Sequence, residues 1–409
     1  MQQKSTKEAQ SLGTHVLIVG AGIAGLASAI ALSRDGFKVT VLEQAEHIEE
    51  IGAGIQISSN ASLVLDDWGL LEKTLTYGFL PQGIQISHWK KGTPIARFPL
   101  NENLSTDHTP YIHIHRADLH RILLNELKSL APDAIHAQSK VISIDKDSDS
   151  ERYQVSCANE ATYIADWVIG ADGIHSVVRS FTPAKIGETQ FTGNVAWRGL
   201  IPISALPSNK PGPFAHLVMG PNGHMVFYYV KGGDSLNYVA IMEKDSWQQE
   251  SWTLKGELSE LLSDFNHWHH NWLNILKQSD PNECYRWALH DRAPLDQWHQ
   301  DGIIILGDAA HPMLPFLAQG AAMGIEDAQA LAHCFKTYSG AEIPQQFYQL
   351  RKERTARVQL EARKNMGIYH EANPVKCFVR DLGLNLISKT FPSFMDRRLS
   401  WLYSYRLKY

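Results

Sequence analysis

The feature that most constrains the fold is a glycine-spaced turn near the amino terminus, within VLIVGAGIAGLASAIAL. The run from His15 to Val19 before this turn is apolar and typical of a buried strand, and Ile23 to Arg34 reads as a helix. A second strand is predicted from Lys38 to Leu42. Apolar strands that alternate with helices indicate a parallel α/β sheet. The spacing G-x-G-x-x-G is formed by Gly20, Gly22 and Gly25.

In this context the three glycines are the fingerprint of a dinucleotide site. Gly20 allows the tight turn, Gly22 has no Cβ to block a pyrophosphate, and Gly25 lets the helix pack on the strand. The helix N-terminus offers unpaired N–H groups to the phosphates. Glu43, after the second strand, can accept hydrogen bonds from ribose hydroxyls and would repel a 2′-phosphate, which predicts FAD or NAD rather than NADP. The alternative, a glycine-rich turn in an unrelated α/β protein, is disfavoured because all three context features are present.

Two further turns follow apolar strands, in VIGADGIHSVVRS and IIILGDAAHPM. They place Asp172 and Asp308 at the carboxyl ends of strands, where open α/β sheets bind ligands. Three such turns predict a long ligand that crosses the edge of the sheet. Asp308 as an ordinary helix N-cap is the simpler alternative, but it leaves Asp172 and the glycine fingerprint unexplained.

The remaining sequence has a different texture. Residues 84–100 and about 190–245 alternate apolar and polar positions, which predicts antiparallel strands with one face on a core. Residues beyond about 325 read as helices, and residues 1–13 read as a loose polar leader. With 409 residues the chain is too long for one ordinary core, so we expect two interleaved domains.

Composition excludes several classes of protein. A net charge of -5 argues against a nucleic-acid partner, although residues 351–409 hold thirteen Lys and Arg against five Asp and Glu. We expect no transmembrane segment. The four cysteines are too scattered for a metal site or a redox dithiol, which predicts no bound metal and a reduced, cytoplasmic protein. They are Cys157, Cys284, Cys334 and Cys377.

From about residue 14 to the carboxyl end, the three turns in this order resemble the single-component FAD-dependent aromatic hydroxylases. The texture is most similar to salicylate hydroxylase, 3-hydroxybenzoate 6-hydroxylase and 6-hydroxynicotinate 3-monooxygenase. The supporting stretches are HRADLH, VAWRG, LNYVAIMEK, DRAPLDQW and HPMLPFLAQGAAM.

The resemblance implies an α/β fold in which a Rossmann-like FAD-binding domain is interleaved with an antiparallel β-sheet substrate domain, followed by C-terminal helices. The expected FAD-binding segments are 1–83, 107–183 and 285–340. The expected substrate-domain segments are 84–106 and 184–284, and the helical region covers 341–409.

The family also implies roles for individual residues around FAD. Asp308 is expected to hold a ribityl hydroxyl, which gives its carboxylate the partner that a buried charge needs. A helix that begins near Gly320 is expected to direct its N-terminus at the flavin, favouring the anionic reduced ring by about 1–2 kcal/mol. Arg116 is expected to contact the flavin rather than Asp118 or Glu126, and Asp172 to bond backbone groups or Arg179. The full set of expected cofactor residues is Gly20, Gly22, Ile23, Ala24, Gly25, Glu43, Gln44, Arg116, Asp172, Asp308, Gly320, Ala321 and Ala322.

Substrate chemistry is expected on the strand GHMVFYYV, where His224 and Tyr228 share one face. In the family the matching residues line the substrate pocket, and the histidine suits a base because imidazole titrates near neutrality. The alternative is a plain sheet histidine. Gln56, Phe316 and Leu317 stand where some relatives carry ionisable or polar residues, which suggests a larger or more apolar ring than a simple hydroxybenzoate.

The implied reaction is hydroxylation of a phenolic or N-heteroaromatic ring by O₂, through a flavin C4a-hydroperoxide, with NADH or NADPH as a transient co-substrate. Alternatives are a same-fold epoxidase or reductase, a redox sensor, or a membrane-surface hydroxylase of a lipophilic quinolone or quinone. The last is motivated by the basic aromatic tail RRLSWLYSYRLKY, for which a packed helix or a contact in a homodimer is the simpler interpretation.

Overall fold

The computed structural model of the chain describes residues 13–48, 53–100, 109–184, 190–206, 208, 210–245 and 255–407, without the side chain of Asp396. The polar leader expected over residues 1–13 lies outside the described residues apart from Gly13. The same holds for the last two residues of the basic aromatic tail.

The described residues form strands and helices in both halves of the chain. The strands are β1 (His15–Val19), β2 (Lys38–Leu42), β3 (Gly54–Ile57), β4 (Gly83–His88), β5 (Pro94–Pro99), β6 (Ile112–His115), β7 (Ile135–His136), β8 (Val141–Lys146), β9 (Tyr153–Cys157), β10 (Thr162–Ala165), β11 (Trp167–Gly170), β12 (Gln190–Pro202), β13 (Ala215–Gly220), β14 (Gly223–Val230), β15 (Ser235–Glu243), β16 (Tyr285–Asp291), β17 (His299–Gln300) and β18 (Ile303–Ile305). The α-helices are α1 (Ile23–Arg34), α2 (Ser59–Asp67), α3 (Leu71–Tyr77), α4 (Arg116–Leu130), α5 (Leu258–Asp264), α6 (His270–Leu276), α7 (Gly320–Thr337), α8 (Glu342–Tyr369), α9 (Pro374–Thr390) and α10 (Phe394–Tyr403).

A six-stranded sheet in the order β17-β18-β11-β1-β2-β7 carries the glycine fingerprint. All neighbouring pairs are parallel except β17 and β18. Every residue of β1 is buried, which explains its continuous apolar run. Helix α1 is buried from Leu26 to Leu32 because it packs between this sheet and α7, so its all-round apolar composition belongs to a core helix.

The second large sheet has the order β16-β12-β15-β14-β13-β4-β5. Its strands are antiparallel, as the alternating pattern predicted, except that β4 pairs with β13 in parallel because the chain passes through the first sheet between them. A two-stranded pair, β3 with β6, and a three-stranded sheet, β10-β9-β8, complete the described sheets. The predicted fold class, an α/β domain interleaved with an antiparallel β domain and followed by helices, is confirmed.

The boundaries of the two domains remain a proposal. Strand β16 pairs with β12 along Tyr285–Asp291, and this pairing places it in the β-rich sheet. We therefore propose that the substrate domain extends to residue 291 rather than ending at 284.

The carboxyl-terminal tail packs on its own protein. Leu402 is fully buried and Tyr403 nearly so. The guanidinium of Arg354 donates to the carbonyl oxygens of Trp401 and Leu402 at 3.0 and 2.9 Å and lies 3.8 Å from the ring of Tyr405. These contacts agree with the simpler interpretation of the tail as a packed helix. Among the described residues, no helix is both long and apolar enough to cross a membrane.

Candidate active site

The glycine turn joins β1 to α1, and each glycine has a different reason to be there. Gly20 has φ +104°, and a Cβ on it would lie 2.5 Å from the carbonyl oxygen of Ala171. A Cβ on Gly25 would lie 1.9 Å from the carbonyl oxygen of Gly20. A Cβ on Gly22 would meet nothing within 4 Å. The protein itself therefore requires the first and third glycines, whereas the second borders open space.

Glu43 follows β2 and closes this turn from the side. Its carboxylate accepts hydrogen bonds from the backbone N–H groups of Ala21 at 2.8 Å and Ala45 at 2.9 Å. The neighbouring side chain of Gln44 is exposed. This brings the acidic group to the carboxyl edge of the sheet, beside the N-terminus of α1, where Ile23 and Ala24 begin the helix.

Asp172 fixes the second turn from within. Its carboxylate accepts from the Ser176 hydroxyl at 2.5 Å and from the N–H groups of Val177 and Val178 at 2.7 and 3.1 Å, as the backbone-bonding expectation required. The guanidinium of Arg179 donates to the carbonyl oxygens of Ile174 and Ala309. This arginine therefore clamps the second turn to the third.

Asp308 stands on the third turn, after β18. Its side chain is exposed at the edge of the sheet, and its carboxylate has no hydrogen-bond partner among the described residues. The surrounding protein nevertheless desolvates it and raises the pKa of its carboxyl, against the charges of His311 and Arg116. Arg116 begins α4, as predicted. The structure thus brings together two residues that are 192 positions apart in the sequence.

Beneath this turn lies a buried ionic network. Asp327, on α7, accepts from the backbone N–H of Gly307 at 3.0 Å, from Nε2 of His311 at 2.6 Å and from Nε of Arg351 at 2.7 Å. Asp327 and Arg351 are fully buried. Arg351 also pairs with Glu326 at 2.8 Å. Because one carboxylate binds both the turn and α8, it fixes the position from which Asp308 projects.

Helix α7 begins at Gly320, where the sequence predicted a helix N-terminus. It follows Ala318, which has a left-handed φ of +53°. A Cβ on Gly320 would meet nothing within 4 Å, and Ala321 beside it is only half-buried. Ala322 is buried. The helix N-terminus thus faces open space at the same edge of the sheet.

This arrangement fits FAD on the structure's own features. Open space borders Gly22 on the first turn, Gly173 on the second turn and Gly320 at the N-terminus of α7. A phosphate needs backbone N–H groups and a glycine cradle, and a polyhydroxyl chain needs an acceptor such as the unpartnered carboxylate of Asp308. The helix dipole of α7 favours negative charge at its N-terminus. We propose that FAD is held by the residues that the sequence predicted, namely Gly20, Gly22, Ile23, Ala24, Gly25, Glu43, Gln44, Arg116, Asp172, Asp308, Gly320, Ala321 and Ala322.

Strand β14 presents one face towards this edge. His224 and Tyr228 both lie on it and are nearly fully buried. In the neighbouring strands Val226 pairs with Val239 and Val239 with Arg198, so Arg198 shares the same face. The opposite face of β14 packs on α5 and α6 through Met225, Phe227 and Tyr229.

His224 lies at one end of this face. Its ring centroid is 5.2 Å from that of Phe316, 5.3 Å from Tyr369 and 5.1 Å from His370. Phe316 is buried and Leu317 half-buried. Phe316 belongs to the segment between Asp308 and Gly320. One loop therefore reaches both the proposed cofactor cleft and the face of β14 that carries His224 and Tyr228, which we call the substrate face.

Tyr228 lies at the other end, with residues that the sequence did not single out. His113 on β6 is 4.7 Å from Tyr228 between ring centroids, and both of its ring nitrogens lack a partner among the described residues. The hydroxyl of Tyr111 donates to Oε1 of Gln56 at 2.6 Å. Alternation in IHIH on β6 was the available signal for His113, but it did not distinguish a site from a core.

Burial decides the charge states here. It lowers the pKa of His113 to about 3 and, with His370 nearby, holds the pKa of His224 well below its ordinary value. Burial raises the pKa of Tyr228, against the charge of Arg198 and a hydrogen bond from Gln56. At neutral pH both imidazoles are therefore uncharged, and each has one ring nitrogen that can accept a hydrogen bond.

Comparison with known proteins identifies the family. The sequence profile described as the FAD binding domain matches residues 13–363. The chain is 34% identical to a 3-amino-4-hydroxybenzoate 2-monooxygenase of Streptomyces cremeus, over 95% of this chain and 94% of that one. It is 33% identical to a 3-hydroxybenzoate 6-hydroxylase of Polaromonas naphthalenivorans, over 96% of each chain.

A solved structure shares the architecture. Klebsiella pneumoniae HpxO, complexed with FAD and uric acid, superposes with a TM-score of 0.84 at 23% identity, over 95% of this chain and 98% of that one. This likeness supports the fold, and the sequence relatives support the family.

Proposed function

Because this chain belongs to the FAD-dependent aromatic monooxygenases of the FAD binding domain family, we propose that it hydroxylates a phenolic or N-heteroaromatic ring that carries an acidic substituent. The observation that carries this proposal is the loop from Asp308 to Gly320. It borders the cofactor cleft at both ends and places Phe316 against His224 between them.

Bound FAD, reduced by NADH or NADPH, would supply the activation of O₂, which gives one oxygen atom to the ring while the other leaves as water. The chain's own residues bind and orient the reactants. Gly22 and the N-terminus of α1 would receive the pyrophosphate, Glu43 the ribose and Asp308 the ribityl chain. The N-terminus of α7 would stabilise negative charge on the flavin.

The substrate face contributes a base and a cation. His224 is neutral and buried, so it can take a phenolic proton, which raises electron density on the ring. Arg198 stacks on the ring of Trp287 at 4.2 Å and shares the face of His224. Its guanidinium would pair with a carboxylate or another acidic ring substituent. Gln56, Phe316 and Leu317 would line the rest of the pocket and favour a larger or more apolar ring.

A substrate screen tests this function. Holoenzyme should oxidise NADH or NADPH faster when a hydroxylated aromatic acid such as 3-amino-4-hydroxybenzoate or 3-hydroxybenzoate is present, and mass spectrometry should find one added oxygen. Matched phenols without the acidic group should stimulate at least about tenfold less, since a lost charged hydrogen bond costs roughly 1.5–3 kcal/mol. Equal stimulation by the uncharged phenols would refute the role of Arg198.

The same screen separates the rival functions. A redox sensor should show no stimulation by any aromatic compound. An epoxidase or a reductase should give a product without a new phenolic hydroxyl. For a membrane-surface hydroxylase of a quinolone or quinone, the preferred compounds should be lipophilic and uncharged.

We also propose that the enzyme works in the cytoplasm. All four of its cysteines are free thiols, as expected in a reducing compartment. Cell fractionation with an antibody against the chain should find it in the cytoplasmic fraction, and recovery elsewhere would contradict the proposal.

The outer face of α9 supports a homodimer. Six large apolar side chains along and just after this helix are between 58% and 71% exposed, namely Val375, Phe378, Val379, Leu382, Leu386 and Phe391. The inner face of α9 packs against the β-sheet domain through Leu384 and Ile387, so the outer face is held in place. Exposed apolar patches of this size mark interaction sites.

A second copy of this chain suits the face. A standard interface buries about 800 Å² on each partner, and six such side chains supply an area of that order. The exposed apolar side chains of the outer face of α9 are spaced roughly symmetrically about Gly383. A Cβ on Gly383 would meet nothing within 4 Å, so two antiparallel copies of the helix can approach closely there. Lys376 and Lys389 lie at the ends of this face and would also suit an anionic lipid surface. The experiment must therefore distinguish a dimer from a monomer that binds lipid.

We therefore expect L382E to convert a dimer into a monomer, because a carboxylate at the centre of an apolar interface is left without a partner. Size-exclusion chromatography with light scattering measures this. The control I164E changes an exposed side chain on β10 that lies outside the face, and it should remain dimeric. A monomeric wild type, including one that sediments with anionic vesicles, would overturn the homodimer.

A further inference from the structure

The ring of His224 is the inner end of a chain of hydrogen bonds that reaches the surface. Its Nδ1 lies 2.8 Å from Nε2 of His370, and Nδ1 of His370 lies 3.0 Å from Oε1 of Glu243. His224 and His370 are 2% and 4% exposed. The side chain of Glu243 is 45% exposed. The chain thus runs from the substrate face to solvent.

One turn holds the three residues in register. The backbone N–H of Asn222, between β13 and β14, donates to the carbonyl oxygen of His370 at 3.0 Å. The N–H of Glu243 donates to the carbonyl oxygen of Asn222 at 2.8 Å. His370 itself follows directly after α8. The end of α8 is therefore fixed against the hairpin of β14 and β15 by backbone bonds as well as by side chains.

The order of groups sets the tautomers. An ionised carboxylate can only accept, so Nδ1 of His370 carries a proton and donates it to Glu243. Nε2 of His370 then accepts from Nδ1–H of His224. This leaves the lone pair on Nε2 of His224, the nitrogen that the chain does not use. The arrangement prepares His224 to accept a proton rather than to donate one.

We propose that His370 and Glu243 are positioning residues that make His224 an effective base, by fixing its tautomer and by carrying the substrate proton to solvent. This inference rests on the proposed function. The hydroxyl proton of the ring moves to Nε2 of His224, and the Nδ1 proton of His224 moves to Nε2 of His370. The Nδ1 proton of His370 moves to Glu243 and then to water, so one proton enters and one leaves.

The electrostatics explain why His224 needs this route for the proton through His370 and Glu243, which we call the relay. Burial lowers the pKa of both histidines, and only the hydrogen bond and charge of Glu243 raise that of His370. The rings of His224 and His370 face each other. Among the described residues, the other titratable groups that face them are Tyr369 from α8 and Glu243 from β15. An imidazole with a low pKa holds a proton poorly, so a route that removes the proton makes such a base useful.

Two variants test the relay on holoenzyme, with the phenol that stimulates most in the screen as the probe. E243Q keeps a polar side chain but removes the anionic acceptor, and H370Q keeps hydrogen bonding but cannot titrate. For each variant we expect kcat/KM at pH 7 to fall about tenfold. We also expect the pH–rate profile to move upwards by about one pH unit, and the pKa of the bound phenol, measured from its phenolate absorption, to rise by about the same amount. FAD content should be unchanged.

E243D, which keeps the carboxylate, should recover most of the loss. The control E260Q removes a carboxylate of similar exposure, 49%, that pairs with Arg286 outside the relay, and it should behave as wild type. If H370Q does not fold, E243Q decides alone, because its side chain is largely at the surface. Profiles of E243Q that coincide with wild type in an active enzyme would overturn the relay, whereas a wild type that no phenol stimulates would overturn the proposed function itself.

Discussion

Replacing Gly25 with alanine should prevent assembly of the cofactor-binding domain, whereas the same change at Gly22 should leave the protein folded but unable to hold FAD. A Cβ on Gly25 would lie 1.9 Å from the carbonyl oxygen of Gly20, and two backbone segments would have to separate. We expect a loss of at least about 3 kcal/mol in the free energy of unfolding. A methyl group on Gly22 meets only open space in the protein.

The Gly22 variant therefore reports on the ligand alone. Its methyl group would occupy the space proposed for the pyrophosphate, and we expect FAD affinity to fall on the order of 100-fold, about 2.7 kcal/mol. The thermal midpoint of flavin-free protein should change by little, since a glycine N-cap replaced by alanine costs about 1 kcal/mol. Absorption near about 450 nm measures the bound flavin.

Gly367 provides the matched control. It lies inside α8, and a Cβ there would meet nothing within 4 Å. G367A should retain FAD and gain slightly in stability, because alanine favours a helix over glycine by about 1 kcal/mol. If G22A binds FAD like wild type, the pyrophosphate does not lie at this turn. Should G25A fold normally, the close contact between α1 and β1 is wrong.

The second large effect is expected at Asp327, where asparagine should destabilise the protein by about 3–5 kcal/mol. The variant would leave the fully buried guanidinium of Arg351 without half of its countercharge and would weaken the bonds to His311 and Gly307. The urea midpoint of unfolding at pH 7 measures this loss. Because Gly307 precedes Asp308, we also expect weaker retention of FAD.

The effect should depend on pH in a defined direction. Burial alone would raise the pKa of Asp327, but His311 and Arg351 hold it well below its ordinary value. A carboxyl with a lowered folded pKa contributes stability that is full above its unfolded pKa of about 3.9 and is lost as the pH falls towards the folded pKa. The difference in stability between wild type and D327N should therefore be constant from pH 7 to about 5 and shrink below about 4.

Glu361 gives the comparison at the surface. It lies on α8, as Arg351 does, and bonds Lys364 at 2.7 Å with both side chains at least one-third exposed. E361Q should change the urea midpoint by less than about 0.5 kcal/mol. Equal effects of D327N and E361Q would contradict a structural role for the buried network.

Local patterns predicted the strands, turns and helices around the proposed FAD site. The strand, the glycine turn and the helix around Gly20 lie within twenty residues of one another, and each follows from side-chain shape or backbone freedom in its own segment. Helix α7 begins at Gly320 and α4 at Arg116 for the same reason. The ordered strands also placed Asp172 and Asp308 at one edge, since parallel strands end together.

The sequence predicted only part of the arrangement around His224 and Tyr228. The alternation in β14 placed His224 and Tyr228 on one face, but it gave no indication that His370, 146 residues away, would bond His224. His113 and Tyr111 lie beside Tyr228 because β6 pairs with β3 and packs on β14. Arg198 reaches the same face through two successive strand pairings.

The sequence by itself determined the family, the turns that we propose to hold FAD and the alternation of α/β and β-rich segments, because these depend on short-range patterns that recur wherever such a fold forms. Only the tertiary structure decided which side chains meet across the substrate face, which buried charges have partners and which apolar surface stays exposed. Those features depend on the register of distant strands and on how α8 and α9 dock, and a pairing between residues far apart leaves no periodic trace in one sequence.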